Sequence, residues 1–214
     1  MLWLGYLACL LAGYGLGSIP TGYLVGRARG VDLRQAGSGN IGATNAFRVL
    51  GKGPAAIVLV GDALKGYLAC TVVCGACLGL LKGSGWEGLE TEAARVMAGL
   101  GAVLGHTYTF WLGFRGGKGI ATSAGVFAAL APWALVVALA GWVLVLWVCR
   151  YASLASVTAA VLLPGMVWLT REHPLLCWVT TLVGALVIAR HSSNLRRLWQ
   201  GTEPKVQWRG GPRA

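Results

Sequence analysis

Charged side chains are scarce in this chain, and acidic ones are the scarcest. Of 214 residues 12% are charged and 56% hydrophobic, with seven Asp and Glu against eighteen Lys and Arg. A soluble domain carries about 25% charged residues, so a water-surrounded globular fold is excluded. The mean hydropathy of +0.66 places the chain in a membrane. The acidic shortfall leaves a net charge of +11. In a soluble protein that would point to nucleic acid, but no aromatic-plus-basic motif is present and the cations fall mainly between apolar runs. No metal-ligand set and no cofactor motif is legible. A nucleotide-binding P-loop fails because the residue that should be its first glycine is Leu112. Cys9, Cys70, Cys74, Cys77, Cys149 and Cys177 all lie in apolar runs and read as small packing residues. The Cys74-x-x-Cys77 spacing lacks thioredoxin-like or metal-binding context. The first apolar run has no basic leader and no cleavage site, so it reads as a first span and not as a removed signal peptide.

What the chain does have is seven apolar runs, at residues 2–25, 55–81, 93–111, 120–130, 133–148, 152–169 and 174–189. At about 20 residues per crossing this predicts an all-α polytopic membrane protein. It has seven transmembrane helices in one domain, residues 1–214, with short interfacial helices or loops on one face. Gly13 and Gly17 make a small-x-x-x-small pair that permits close helix contact. Pro20 is expected to kink or end the first helix, and Pro164 to interrupt the sixth. Asp62 and Lys65, at i and i+3 on one helix face, are read as a mutually neutralising pair that supports the site.

The distribution of Lys and Arg predicts orientation. With the N-terminus outside, fourteen lie on cytoplasmic segments: Arg27, Arg29, Arg34, Arg48, Lys52, Arg115, Lys118, Arg150, Arg190, Arg196, Arg197, Lys205, Arg209 and Arg213. Outside there are three, Lys82, Arg95 and Arg171, in segments that also hold Glu87, Glu90, Glu92 and Glu172. A single kinked span across Pro132 would break this parity, and the charge rule disfavours it. The C-terminus is therefore expected in the cytoplasm.

Three polar stretches then share the cytoplasmic face: 37–48, 111–122 and 191–205. In the second, Arg115 and Lys118 flank Gly116 and Gly117, and Gly119 follows. Glycines let successive N–H groups turn toward an anion, and an adjoining helix N-terminus adds partial positive charge. Phosphate is the simplest ligand; the alternative is a tight turn whose cations serve only topology. The first stretch offers Ser38, Asn40, Thr44 and Asn45 between glycines, with Arg48 able to grip phosphate bidentately. In the third, His191 and Asn194 fall on one face of an expected interfacial helix that continues the last span, while Arg196 and Arg197 suit anionic lipid.

In order along the chain, Gly17-Ser18-Ile19-Pro20-Thr21-Gly22-Tyr23, Gly37-Ser38-Gly39-Asn40-Ile41-Gly42-Ala43-Thr44-Asn45, Gly105-His106 with Phe114-Arg115-Gly116-Gly117-Lys118-Gly119-Ile120-Ala121-Thr122, and His191 with Asn194, Arg197, Gly201 and Glu203 resemble the bacterial acyl-phosphate-dependent glycerol-3-phosphate acyltransferases of the PlsY type. The resemblance implies transfer of a fatty acyl group from acyl phosphate to the 1-hydroxyl of sn-glycerol 3-phosphate. The products would be lysophosphatidate and phosphate, formed at the cytoplasmic face of the bacterial inner membrane. It also implies a soluble acyl-phosphate-producing partner. Lys118 with Gly116, Gly117 and Gly119 would hold phosphate, and Lys118 would bridge the two anions. Ser38, Gly39, Asn40 and Thr44 would hold the acyl-phosphate head, and Arg48, His191 and Asn194 would grip glycerol phosphate. Ser38, Lys118 and His191 are the expected catalytic residues; Arg115 and Asn45 complete the expected binding set. No His-x-x-x-x-Asp signature occurs: the residues five positions after His106, His173 and His191 are Trp111, Trp178 and Arg196. The hydroxyl proton passes either to His191 or, preferred here, to a substrate phosphate, with the protein supplying position and charge. The rival class is a transporter for a phosphorylated metabolite; it fits less well, since no repeat is visible and the polar motifs crowd one face.

Overall fold

Apolar runs without lipid-compatible backbone partners must satisfy their own N–H and C=O groups, and helix is the structure that does so within one segment. The computed structural model describes residues 2–83, 88–170 and 173–207, and all regular structure among them is helical. Glu87, Arg171, Glu172, Arg209 and Arg213 lie outside the described residues.

The first compact unit runs to Leu130. It holds α1 (Leu2–Gly17), α2 (Thr21–Arg27), α3 (Ala43–Leu50), α4 (Lys52–Leu68), a π-turn (Ala69–Val73), α5 (Cys74–Gly83), α6 (Thr91–Thr107), a 3-10 turn (Phe110–Leu112) and α7 (Ile120–Leu130). The small residues of α1 find their partner in α6. A Cβ on Gly13 or Gly17 would lie 2.0 or 2.2 Å from the carbonyl oxygens of Ala98 or Ala102, and one on Gly101 or Gly105 would lie 2.0 or 2.3 Å from those of Leu10 or Tyr14. Two i, i+4 glycine pairs thus face each other, and backbone touches backbone. Gly101→Leu is therefore expected to destabilise the protein by more than about 3 kcal/mol, since backbone cannot move aside as a side chain can. Yield and thermal unfolding of the detergent-purified variant test this; a wild-type melting temperature would refute it.

The helix at the start of the chain breaks at Ser18 to Pro20, as Pro20 requires, and resumes as α2. The polar segment that follows is no open loop. Leu33 packs into a small core with Ala46, Ala55 and Val58, and α2 lies so close that a Cβ on Gly22 would meet the Ile41 carbonyl oxygen at 1.7 Å. At the π-turn, Arg95 of α6 donates to the carbonyls of Cys70 and Ala129, at 3.2 and 2.8 Å.

The second unit, Ala131–Arg209, holds α8 (Pro132–Cys149), α9 (Ala152–Leu169), α10 (Pro174–Arg190) and α11 (Ser192–Trp199). Ala131 leaves helical geometry (φ −146°, ψ 67°), so α7 and α8 are separate helices. Pro164 does not interrupt α9, contrary to expectation. The carbonyl it leaves without a helical donor, Ala160, is covered by α10, where a Cβ on Gly184 would sit 2.6 Å from that oxygen. A neighbouring helix that hides the freed carbonyl lets the proline stay.

Among the described residues, four helical runs are long and apolar enough to cross a membrane: Leu2–Arg27, Lys52–Gly83, Pro132–Cys149 and Ala152–Leu169. A fifth is made by α10 with α11 if that pair, bent by 54°, is one span. α6 and α7 have 17 and 11 residues, shorter than the usual ~20. Trp133, Trp147 and Trp178 are among the large side chains left exposed, which suits contact with lipid.

Candidate active site

The first polar stretch is built around one buried amide. Asn45, on the first turn of α3, donates through Nδ2 to the carbonyls of Leu33, Ala36 and Asn40 at 3.1, 3.0 and 2.8 Å. Its Oδ1 accepts the Ser38 N–H at 2.8 Å. Asn45 is 2% exposed. Its expected role as a substrate ligand is therefore corrected: every polar atom of the side chain is committed to shaping the loop. Ser38 and Gly39 remain exposed on that loop and Thr44 on the first turn of α3, while Asn40 and Arg48 are half-buried. Asn40 Oδ1 accepts the Gly42 N–H at 2.8 Å, a local turn that sets up the start of α3. Upstream, Arg34 forks onto both carboxylate oxygens of Asp32 and holds that carboxyl down to about 2.

The glycine turn differs from expectation in its amides. Gly116 N–H donates to the Thr107 carbonyl at 3.1 Å and Gly117 N–H to the His106 carbonyl at 3.0 Å. An anion nest on those two amides does not form in this structure, because both are spent on tying the turn to the end of α6. The glycines serve close approach instead. A Cβ on Gly116 would strike the His106 carbonyl oxygen at 2.0 Å, and one on Gly117 the His106 Nε2 at 2.1 Å. Gly119, at φ +86°, takes a backbone shape that side-chain-bearing residues rarely adopt and delivers the chain into α7. Arg115 is exposed and Lys118 half-buried beside the α7 N-terminus.

His106 also belongs to a buried group that the sequence shows only in part. Lys65 Nζ lies 2.8 Å from Asp62 Oδ1, and His106 Nδ1 faces the same oxygen at 3.5 Å. A His–Asp pair thus exists across α4 and α6, where sequence spacing showed none. The Asp62–Lys65 pair within one apolar run was the visible signal.

In the second unit His191 is the hinge residue between α10 and α11, so α11 bends away and does not simply continue the last span. His191 is buried, with Nδ1 2.8 Å from the Val187 carbonyl. A carbonyl only accepts, so Nδ1 carries the hydrogen and the lone pair of the neutral ring is on Nε2. Asn194 donates to Glu203 Oε1 at 2.7 Å, Ser153 of α9 donates to the same oxygen at 2.8 Å, and Arg197 Nε donates to Oε2 at 2.8 Å. Glu203 thereby ties α11 to α9. Ser153 was missed because nothing in an apolar run marks one serine among several.

Burial alone would raise the Glu203 pKa, but the hydrogen bonds from Asn194, Ser153 and Arg197 outweigh it and hold it below the ordinary 4.5. A carboxyl with a depressed folded pKa stabilises the fold above its unfolded value, and that stabilisation is lost as pH falls through the folded one. The wild-type melting temperature should therefore fall as pH drops below about 4.5, and Glu203→Gln, less stable at neutral pH, should show a shallower decline. Parallel curves for the two proteins would refute this.

Residues 7–201 match the glycerol-3-phosphate acyltransferase family. The chain belongs to the glycerol-3-phosphate acyltransferase family. A glycerol-3-phosphate acyltransferase of Synechococcus sp. (strain JA-3-3Ab) is 46% identical over 98% of both chains. One of Geobacter metallireducens is 48% identical over 92% of this chain and 96% of its own. Among solved structures, PlsY, an integral membrane glycerol 3-phosphate acyltransferase, superposes in its glycerol 3-phosphate form with a TM-score of 0.82 at 35% identity, covering 94% of this chain and 96% of that one. Its lysophosphatidic acid form gives 0.79 at 34% identity, covering 94% and 95%. Membership in this acyltransferase family agrees with the four polar motifs and with a multi-pass membrane protein.

Proposed function

We propose that this chain transfers a fatty acyl group from acyl phosphate to the 1-hydroxyl of sn-glycerol 3-phosphate, releasing lysophosphatidate and phosphate. The observation that carries the reading is the likeness, over nearly the whole chain, to an enzyme solved in glycerol 3-phosphate and lysophosphatidic acid forms. In the reaction the hydroxyl oxygen bonds the acyl carbon, the acyl–phosphate C–O bond breaks, and the hydroxyl proton leaves on a substrate phosphate. Acyl phosphate already carries a good leaving group, so position and charge suffice. Lys118 and Arg115 hold phosphate at the glycine turn, with Gly119 opening onto the α7 N-terminus. Ser38, Gly39, Asn40 and Thr44 hold the acyl-phosphate head. Arg48, His191 and Asn194, the last oriented by Glu203, grip glycerol phosphate.

The seven apolar helices are proposed as seven crossings with the N-terminus outside and the reaction at the cytoplasmic face of the inner membrane, as the Lys and Arg distribution favours. Acyl phosphate would be delivered by a soluble enzyme that makes it.

Purified protein given acyl phosphate and radiolabelled glycerol 3-phosphate should yield a lipid-soluble labelled product; none would end the proposal. His191→Ala separates the proton routes. Activity well above background with a raised glycerol-phosphate KM supports substrate-assisted transfer, whereas complete loss of kcat at unchanged KM makes His191 the base.

A further inference from the structure

Asp62, Lys65 and His106 have no part in the roles just given, yet they are 1%, 5% and 4% exposed within apolar helices. Charged groups at such depth are expensive to keep and usually mark function. We propose that these three are positioning residues for acyl transfer, a buried strut that fixes the Gly116-Gly117-Lys118 turn from beneath; this rests on the function proposed above.

The strut can be traced atom by atom within the first unit. Lys65 Nζ donates to the Ile19 carbonyl at 2.8 Å, where the chain breaks between α1 and α2. The same ammonium meets Asp62 Oδ1, and that oxygen faces His106 Nδ1. The Asp62–His106 contact is long for a hydrogen bond and poorly aligned, so charge and packing hold the ring more than directional bonding does. A carboxylate only accepts, which favours the hydrogen on Nδ1. His106 then meets the turn twice. Its carbonyl accepts the Gly117 N–H. Its Nε2 edge fills the space that a Gly117 side chain would need. Lys118 is the next residue, so a shift of the ring moves the ammonium at the leaving phosphate.

Gly116 supplies an internal control. Its steric limit is the His106 carbonyl, part of the main chain, which no change of the ring relieves. If His106 is the strut's contact, shortening it relieves Gly117→Ala and leaves Gly116→Ala as damaged as before.

The test uses the full chain purified in detergent, with acyl phosphate and glycerol 3-phosphate kinetics and hydrogen exchange over residues 107–122. His106→Ala should raise KM for the phosphate substrates about tenfold while kcat stays within about threefold. His106→Asn, which still offers Asp62 an N–H, should recover most of that loss. Gly117→Ala should lower kcat/KM about a hundredfold, and adding His106→Ala should restore about tenfold of it; Gly116→Ala with His106→Ala should restore nothing. Exchange at the Gly116 and Gly117 amides should quicken about tenfold in His106→Ala. The strut is overturned if His106→Ala matches wild type in both KM and exchange, or if the two glycine variants respond alike to loss of the ring. Should His106→Ala fail to fold, His106→Asn and Asp62→Asn are read by the same two measurements. A wild-type enzyme that makes no lysophosphatidate would defeat the proposed function instead, and the exchange rates would still decide the strut.

Discussion

Asn45→Asp should leave little folded protein and no activity. One buried amide holds the carbonyls of Leu33, Ala36 and Asn40 together and receives the Ser38 N–H. The substitution changes one atom, but the new oxygen faces three carbonyl oxygens with no hydrogen to offer. A buried polar group left without its partner costs about 1–3 kcal/mol, and here the two N–H donors shared among three carbonyls are lost at once while a charge is taken from water. A loss above about 4 kcal/mol is expected, in the range reserved for broken buried networks. Asn45→Ala should be milder, since it removes the donors without adding a charge. Asn40→Ala, which gives up one local bond to Gly42, should cost about 1 kcal/mol. Thermal unfolding of the three variants in detergent, with acyl-transfer rates alongside, gives the order; an Asn45→Asp protein as stable as Asn40→Ala would show that the loop does not depend on this amide.

That residue also shows where the sequence is and is not informative. Asn45 was legible as important, because polar side chains among glycines beside membrane are unusual, but a list of residue types does not say whether an amide points to a ligand or inward. The direction depends on Leu33, twelve positions away, whose carbonyl is one of its acceptors. The same limit applies at the turn. Arg115 and Lys118 could be read as an anion site from charge and glycine alone. That Gly116 and Gly117 spend their amides on Thr107 and His106 follows from how α6 ends, which no spacing rule encodes. Periodic features carried further. Gly13 and Gly17 announced a close helix contact, and the structure supplies the reciprocal pair, Gly101 and Gly105. The break at Pro20 and the division at Ala131 follow from backbone chemistry that is local to each site. Pro164 misled because the covering residue, Gly184, is on another helix. Ser153, Glu203 and the Asp62–His106 pair belong to the same class of contact, made by residues 50 or 44 positions apart.

Lys118→Met should lower kcat/KM by about a thousandfold with the fold intact, the range seen when one preorganised stabiliser of developing charge is removed. Methionine keeps a flexible apolar stem and loses only the cation. Charge builds on the departing phosphate as the acyl C–O bond breaks, so an ammonium placed there acts more strongly on the transition state than on the bound substrate. The half-buried position of Lys118 strengthens the effect, since attraction between charges rises as water is excluded. Its placement is fixed on one side by the clamped glycines and on the other by α7, so little reorganisation is needed. Arginine keeps the charge but spreads it over a larger plane, so Lys118→Arg should recover only part of the rate. Arg115, exposed on the same turn, gives the contrast: Arg115→Ala should mainly raise KM, by about tenfold or less, with an effect that fades as salt screens it. Steady-state kinetics at two ionic strengths, with melting temperatures as a folding control, decide between these outcomes. A Lys118→Met enzyme that keeps more than about a tenth of wild-type kcat/KM would mean the leaving phosphate is neutralised elsewhere, and the role given to the glycine turn would pass to another cation.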